Sequence, residues 1–120
     1  MDRLVYSETM KDYRVHRGID IAAEVGTEVV AYTKGIVSAV TDDYFYGTTV
    51  EITHDNGLVS YYMNLDPDLA TNVTVGSMVL AGQQIGRVGT TAKAESADAP
   101  HLHFELRRNK TLIDPEPELS

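Results

Sequence analysis

The chain has 120 residues, 42% of them hydrophobic and 23% charged, with 18 acidic against 10 basic side chains and a formal charge of −8. That composition supplies the core of one domain, while the charge disfavours duplex nucleic acid and anionic lipid, both of which need clustered Lys and Arg. The absence of cysteine excludes a disulfide framework, an iron–sulfur cluster and a thiolate zinc site, and no apolar run reaches the roughly 18–20 residues that span a bilayer.

The opening Met1-Asp2-Arg3-Leu4-Val5-Tyr6 has no signal-peptide core, so neither a leader nor direct membrane binding is expected of this segment. A single domain is expected, with a lead-in over residues 1–12, a core over 13–115 and a tail over 116–120. Nine glycines fall between short runs of Val, Ile, Thr and Tyr, which reads as β-structure rather than helix.

In chain order, His16-Arg17-Gly18-Ile19-Asp20 reads as a turn entering a strand, because Gly18 and β-branched Ile19 and Ile21 oppose helix. Residues 28–31 and 35–40 are expected to form a hairpin through Thr33-Lys34-Gly35. Residues 48–54 and 58–63 form a second expected hairpin, joined by Asp55-Asn56-Gly57. Residues 65–69 suggest one helical turn, with Asp66 as N-cap and Pro67 at the first helical position.

Short strands follow at 78–80 and 84–88, on either side of Ala81-Gly82. Residues 90–100 are polar and small, a surface loop that would border a site, and 101–107 form a strand. Pro115 and Pro117 close the fold. The expected architecture is all-β: antiparallel sheets in a sandwich-like arrangement, the larger folded against a smaller one, with short loops and at most one helical turn.

The functional information lies in the histidines. His101 and His103 stand two apart in a predicted strand, so both side chains leave the same face. His16 and Asp20 form a second cluster, and two imidazoles with one carboxylate suit a zinc ion that keeps a fourth position open, the arithmetic of a catalytic site. Either pair alone is weak; unrelated polar residues at strand ends would look the same.

Together with Gly26-Thr27-x-Val29-x-Ala31, Val79-x-x-Gly82-Gln83-x-Ile85-Gly86 and His101-Leu102-His103-Phe104-Glu105, the pattern resembles the LytM and lysostaphin-type zinc metallopeptidases of bacterial cell walls, from His16 to about Pro115. The resemblance implies a LytM-like all-β domain, Zn2+ held by His16, Asp20 and His103, and His101 as the base acting on water. It also implies peptidoglycan peptides as substrate and a place outside the cytoplasm, at the cell envelope. Metal binding through imidazole would weaken below roughly pH 6.

The chain departs from the family at one position. Where the pattern reads Tyr-x-His-Leu, this chain has Tyr62-Met63-Asn64-Leu65, so Asn64 replaces a second catalytic histidine. By strand alternation Ser60, Tyr62 and Asn64 are expected on one face. An asparagine amide donates a hydrogen bond but does not shuttle a proton, and losing a general acid–base group lowers rates by roughly 10²–10⁴.

Tyr6-Ser7-Glu8-Thr9-Met10 and Gly89-Thr90-Thr91-Ala92 resemble a clostridial-type branch of the family, similar to stage II sporulation protein Q, whose LytM-like domain pairs with a protein partner. Two functions follow: a zinc endopeptidase acting on peptidoglycan peptides, or a zinc-retaining scaffold with weak or lost hydrolysis that binds a protein partner. A biotinyl or lipoyl carrier shares some of the Gly-Val spacing but lacks the hairpin lysine.

His54, at the end of a strand beside the Asp55-Asn56-Gly57 turn, is expected to be solvated. Tyr44, Phe45, Tyr46, Tyr61 and Tyr62 are expected to pack in the core, although they would also suit a groove wall. Glu95 and Asp98 are expected to keep the 90–100 loop soluble.

Overall fold

The computed structural model describes residues 11–14, 18–71, 73–91, 101–108 and 111–113, with 11–14, 18–20, 43 and 111–113 as backbone alone. The described residues form ten strands: β1 Lys11–Arg14, β2 Gly18–Ala22, β3 Glu28–Val30, β4 Gly35–Asp43, β5 Gly47–Thr53, β6 Leu58–Leu65, β7 Met78–Val79, β8 Gln84–Arg87, β9 His101–Arg108 and β10 Thr111–Ile113. The only helical element among the described residues is a 3-10 turn at Asp55–Gly57.

One antiparallel sheet runs in the order β1-β2-β9-β6-β5-β4-β7, with β10 also paired to β9, and β3 and β8 form a separate two-stranded sheet. Val29 of β3 and Ile85 of β8 belong to the same buried cluster as Val37, Ile52, Tyr62 and Phe104 of the larger sheet. The small sheet therefore packs on the core face of the large one, as the all-β, two-sheet expectation required. Each fully buried Leu, Ile or Phe in that contact contributes about 1.5–3 kcal/mol.

The β5–β6 hairpin forms as expected around Asp55-Asn56-Gly57. Asn56 and Gly57 both take positive φ, 60° and 75°, conformations that Asn and Gly adopt at least strain. His54 N then closes the turn on Leu58 O at 2.7 Å.

Two expected elements do not form. Residues 28–31 and 35–40 are not a hairpin. Ala31 N donates to Gln83 O and Gly82 N to Ala31 O, each at 2.9 Å, so the β3 end is tied to the β8 side. The next amide, Tyr32 N, is taken by the Tyr62 hydroxyl at 2.9 Å, and the chain crosses to the other sheet. Gly35 marks the crossing, because a Cβ there would lie 2.5 Å from Thr53 O.

The expected helical turn at 65–69 is an Asx turn. Asp66 Oδ1 accepts from Asp68 N at 2.9 Å, the capping contact foreseen for it, but no helix follows. Asp66 N donates to Arg87 O at 2.8 Å and Ala70 N to Ile85 O at 3.2 Å, so β8 takes the Ala70 amide that a helix would have bonded back to Asp66 O.

Candidate metal and catalytic site

The site is built on β9. Leu102, Phe104 and Leu106 alternate into the core, each 0% exposed, so His101, His103 and Glu105 share the opposite face. That face is covered too: the three polar residues are 5%, 2% and 4% exposed. Buried polar groups at this depth need partners, and each has them.

His103 Nε2 lies 3.0 Å from Glu105 Oε2. The other oxygen, Oε1, accepts from Arg107 Nη2 at 2.9 Å and from Arg107 Nε at 3.3 Å. Burial pushes the Glu105 carboxyl up, but the hydrogen bonds from His103 and Arg107 outweigh it and leave its pKa below the usual carboxylate value. The same carboxylate raises the Arg107 guanidinium, whose Cζ stands 5.1 Å over the Tyr61 ring. Tyr61 is the β6 neighbour directly opposite Glu105.

In the β2–β9 register Asp20 stands opposite His103 and Ala22 opposite His101. The register thus brings two of the three expected metal ligands, Asp20 and His103, to one point of the sheet. His16 lies outside the described residues, as does the loop over residues 92–100 with Glu95 and Asp98, and Asp20 is described as backbone. Among the described residues no group of three His, Cys, Asp or Glu side chains gathers to hold a metal. The donor chemistry of those present, a buried imidazole at a carboxylate's register position with no thiolate, suits zinc.

Asn64 does not follow strand alternation. Tyr62 and Leu65, three apart, are both core residues at 0% exposure, and the β5–β6 register slips between Thr48↔Leu65 and Val50↔Tyr62. An extra residue is accommodated in β6, and Asn64 takes φ 68°. This is a β-bulge with a left-handed residue, so Asn64 does not share the inward face of Ser60 and Tyr62. Its Nδ2 donates to the backbone carbonyl of His101 at 2.8 Å, and its N donates to Tyr46 O at 2.8 Å.

The bulge ties three segments to the site. Gly89 N donates to Asn64 O at 2.8 Å. Thr91 Oγ1 accepts from Thr48 N at 3.0 Å and donates to Leu65 O at 2.7 Å. Tyr46, whose carbonyl holds Asn64, lays its ring over His103 with centroids 6.1 Å apart and planes 25° apart.

The aromatic expectation divides. Tyr62 is a core residue, but Tyr44, Phe45 and Tyr46 are exposed at 70%, 58% and 42%, because they occupy the tip of the β4–β5 hairpin, beyond the reach of the core. His54 is not a solvated turn residue. Its Nδ1 lies 2.7 Å from Lys34 O and its Nε2 2.8 Å from Ser60 Oγ. Ser60 in turn lies 2.8 Å from the Tyr62 hydroxyl. Desolvation lowers the His54 pKa below 6.5, against the Lys34 carbonyl and Asp55, which raise it.

Glu105 went unassigned as a site residue in the sequence, and Tyr46 was expected in the core, with a groove wall as the alternative. Glu105 had a signal available, since period two from His101 and His103 places it on their face; the contact of Tyr46 with His103 had none, because it is made across a hairpin tip.

The model of Peptidase family M23 matches residues 14–115. The peptidoglycan DD-endopeptidase ShyC of Vibrio cholerae is 36% identical over 96 residues, covering 80% of this chain and 21% of ShyC. The murein hydrolase activator EnvC of Escherichia coli is 35% identical over 114 residues, covering 95% of this chain and 26% of EnvC. The chain thus spans about a fifth to a quarter of the length of these two curated relatives. Among solved structures, a chain of the SpoIIQ–SpoIIIAH pore-forming complex aligns with TM-score 0.72 at 30% identity, covering 93% of this chain and 68% of that one.

Proposed function

Because the chain belongs to peptidase family M23, we propose that it is a zinc-dependent metalloendopeptidase-type domain that engages peptides of bacterial peptidoglycan at the cell envelope, outside the cytoplasm. The observation that carries this reading is the register of Asp20 opposite His103, with His101 two residues away on the same buried face of β9.

In this reading His103, Asp20 and His16 hold the zinc. When bound, the ion supplies Lewis acidity that polarises a carbonyl and acidifies water. His101 holds or releases a proton at a ring nitrogen. Tyr46, stacked on His103, bounds the site on the side of the β4–β5 tip. Asn64 contributes no proton transfer, and its amide braces the His101 carbonyl. ShyC, a peptidoglycan endopeptidase by name, supports the substrate class.

Asn64 favours a second reading, a zinc-retaining scaffold with weak or no hydrolysis that binds a protein partner. EnvC, named as an activator of murein hydrolases, and the SpoIIQ chain in complex with SpoIIIAH support that alternative.

The test is digestion of purified cross-linked peptidoglycan by the zinc-loaded domain, beside Asn64→His and His103→Ala variants, with released peptides read by mass spectrometry. Cleavage by the parent but not by His103→Ala is the outcome of the peptidase reading. Cleavage by Asn64→His alone replaces it with the scaffold, and no cleavage by any of the three removes the peptidase reading.

A further inference from the structure

The β4–β5 hairpin ends in three consecutive aromatic residues, Tyr44-Phe45-Tyr46, closed by the Asp43↔Gly47 pair with Gly47 at φ 76°. A three-residue loop followed by a left-handed glycine is a defined turn, and it is braced from outside the hairpin: Asn64 N donates to Tyr46 O at 2.8 Å and Thr48 N to Thr91 Oγ1 at 3.0 Å. Tyr46 lays its ring over His103. Tyr44 and Phe45 stay out of the core, 70% and 58% exposed, with their rings edge to face, centroids 5.4 Å apart and planes 88° apart. That contact leaves at least one face of each ring uncovered by the other.

Two large aromatic side chains held in water on a fixed turn mark a ligand surface, and their few rotatable bonds make contact cheap in entropy. A protein partner needs about 800 Å² per side with an apolar centre. Two rings bordered on β4 by exposed, polar Thr41 and Asp42 do not supply that. Ligands that stack on single rings are nucleic-acid bases and sugars, and the formal charge of −8 repels a phosphate backbone. A neutral sugar ring fits: its C–H face lies on an aromatic ring, and its hydroxyl and acetamido groups hydrogen-bond at the ring's border. The Tyr44 hydroxyl, Thr41 and the Asp42 carboxylate, which accepts from Thr48 Oγ1 at 3.3 Å, offer those bonds.

We propose that Tyr44 and Phe45 form a saccharide platform, on which the glycan strand of peptidoglycan stacks while its peptides enter the site beside His103. Phe45 and Tyr44 precede Tyr46 by one and two residues, at most about 8 Å of chain, so one polymer reaches both places. Holding the glycan raises the effective concentration of the peptides attached to it. The identity of the polymer rests on the peptidoglycan reading above; the stacking itself requires neither zinc nor cleavage.

The probe is a neutral N-acetylglucosamine hexamer, titrated into the zinc-free domain and followed by nitrogen-15 amide shifts. The parent is compared with the double variant Tyr44→Ala, Phe45→Ala and with Tyr44→Trp, each checked for folding by circular dichroism; both positions are exposed, so no core contact is removed. Expected are saturable shifts centred on residues 41–47 in the parent, affinity lowered roughly tenfold or more in the double variant, and binding kept in Tyr44→Trp, which restores a stacking face. A parent without saturable shifts, or a folded double variant that binds as tightly as the parent, overturns the platform. Tip shifts that appear on concentrating the parent alone, and vanish in the double variant, assign the rings to a second copy of the chain and overturn it as well. A domain that binds the hexamer through the tip but cuts no peptidoglycan loses the peptidase reading and keeps the platform.

Discussion

Asn64 Nδ2 donates to the backbone carbonyl oxygen of His101 across 2.8 Å, so the residue read from the sequence as replacing a second catalytic histidine is bonded to the backbone of His101. The bond is made from a left-handed residue, φ 68°, within a β-bulge. Asparagine enters that conformation more readily than most residues, because its short polar side chain can bond locally. Its side chain thereby supports the His101 end of β9.

The first prediction follows from that bond. Asn64→Ala removes one hydrogen bond from a buried carbonyl, a loss of about 0.5–1.5 kcal/mol, and places a Cβ residue in the left-handed region at a further cost of about 1–2 kcal/mol. Asn64→Gly removes the second penalty and keeps the first. In thermal or urea unfolding the order of stability is expected to be parent, then Gly, then Ala. A variant with Ala as stable as the parent would show that the bulge does not depend on the amide.

Gly89 supports the same bulge from the other side. A Cβ on it would lie 2.6 Å from Asp66 N and 2.8 Å from Leu65 C, both backbone atoms that have no rotamer to turn away. Gly89→Ala is expected to destabilise the domain by about 1–3 kcal/mol or more, read by chemical denaturation. No loss of stability would mean that the Leu65–Asp66 backbone moves freely away from residue 89.

A third prediction concerns His54. The Lys34 carbonyl at Nδ1 only accepts, so that nitrogen carries the proton, and Nε2 faces the Ser60 hydroxyl at 2.8 Å. Desolvation holds the folded-state pKa below the ordinary 6.5, with the Lys34 carbonyl and Asp55 opposing it. The unfolded state therefore binds the proton more readily. The stability due to neutral His54 is full above pH 6.5 and is lost as pH falls from there through the folded-state value. Melting temperatures between pH 5 and 8 are expected to fall on the acid side more steeply for the parent than for His54→Gln; parallel curves would contradict this.

Much of this was legible from local chemistry. Asp55-Asn56-Gly57 supplies the positive φ values its turn needs, and the alternation of Leu102, Phe104 and Leu106 with His101, His103 and Glu105 states which face of β9 is core. The elements that were not legible are those decided by distant backbone groups. The amides of Ala31 and Tyr32 go to Gln83 and to the Tyr62 hydroxyl, and those of Asp66 and Ala70 go to β8, none of which is adjacent in sequence. Asn64 escaped alternation for a related reason: the slip is set by the β5 register, while period-two reading assumes an unbroken strand. His54 was misplaced because a turn position usually meets water, and here it meets Lys34 and Ser60 instead.

The reading of the site stands on zinc held through His103. The most direct measurement is native mass spectrometry of the folded domain titrated with zinc, for the parent and for His16→Ala, Asp20→Ala and His103→Ala, each checked for folding by circular dichroism. One tightly bound zinc per parent chain, lost or greatly weakened in all three variants, is the expected result. A parent that binds no zinc, or a folded His103→Ala variant that holds it as tightly as the parent, would contradict it.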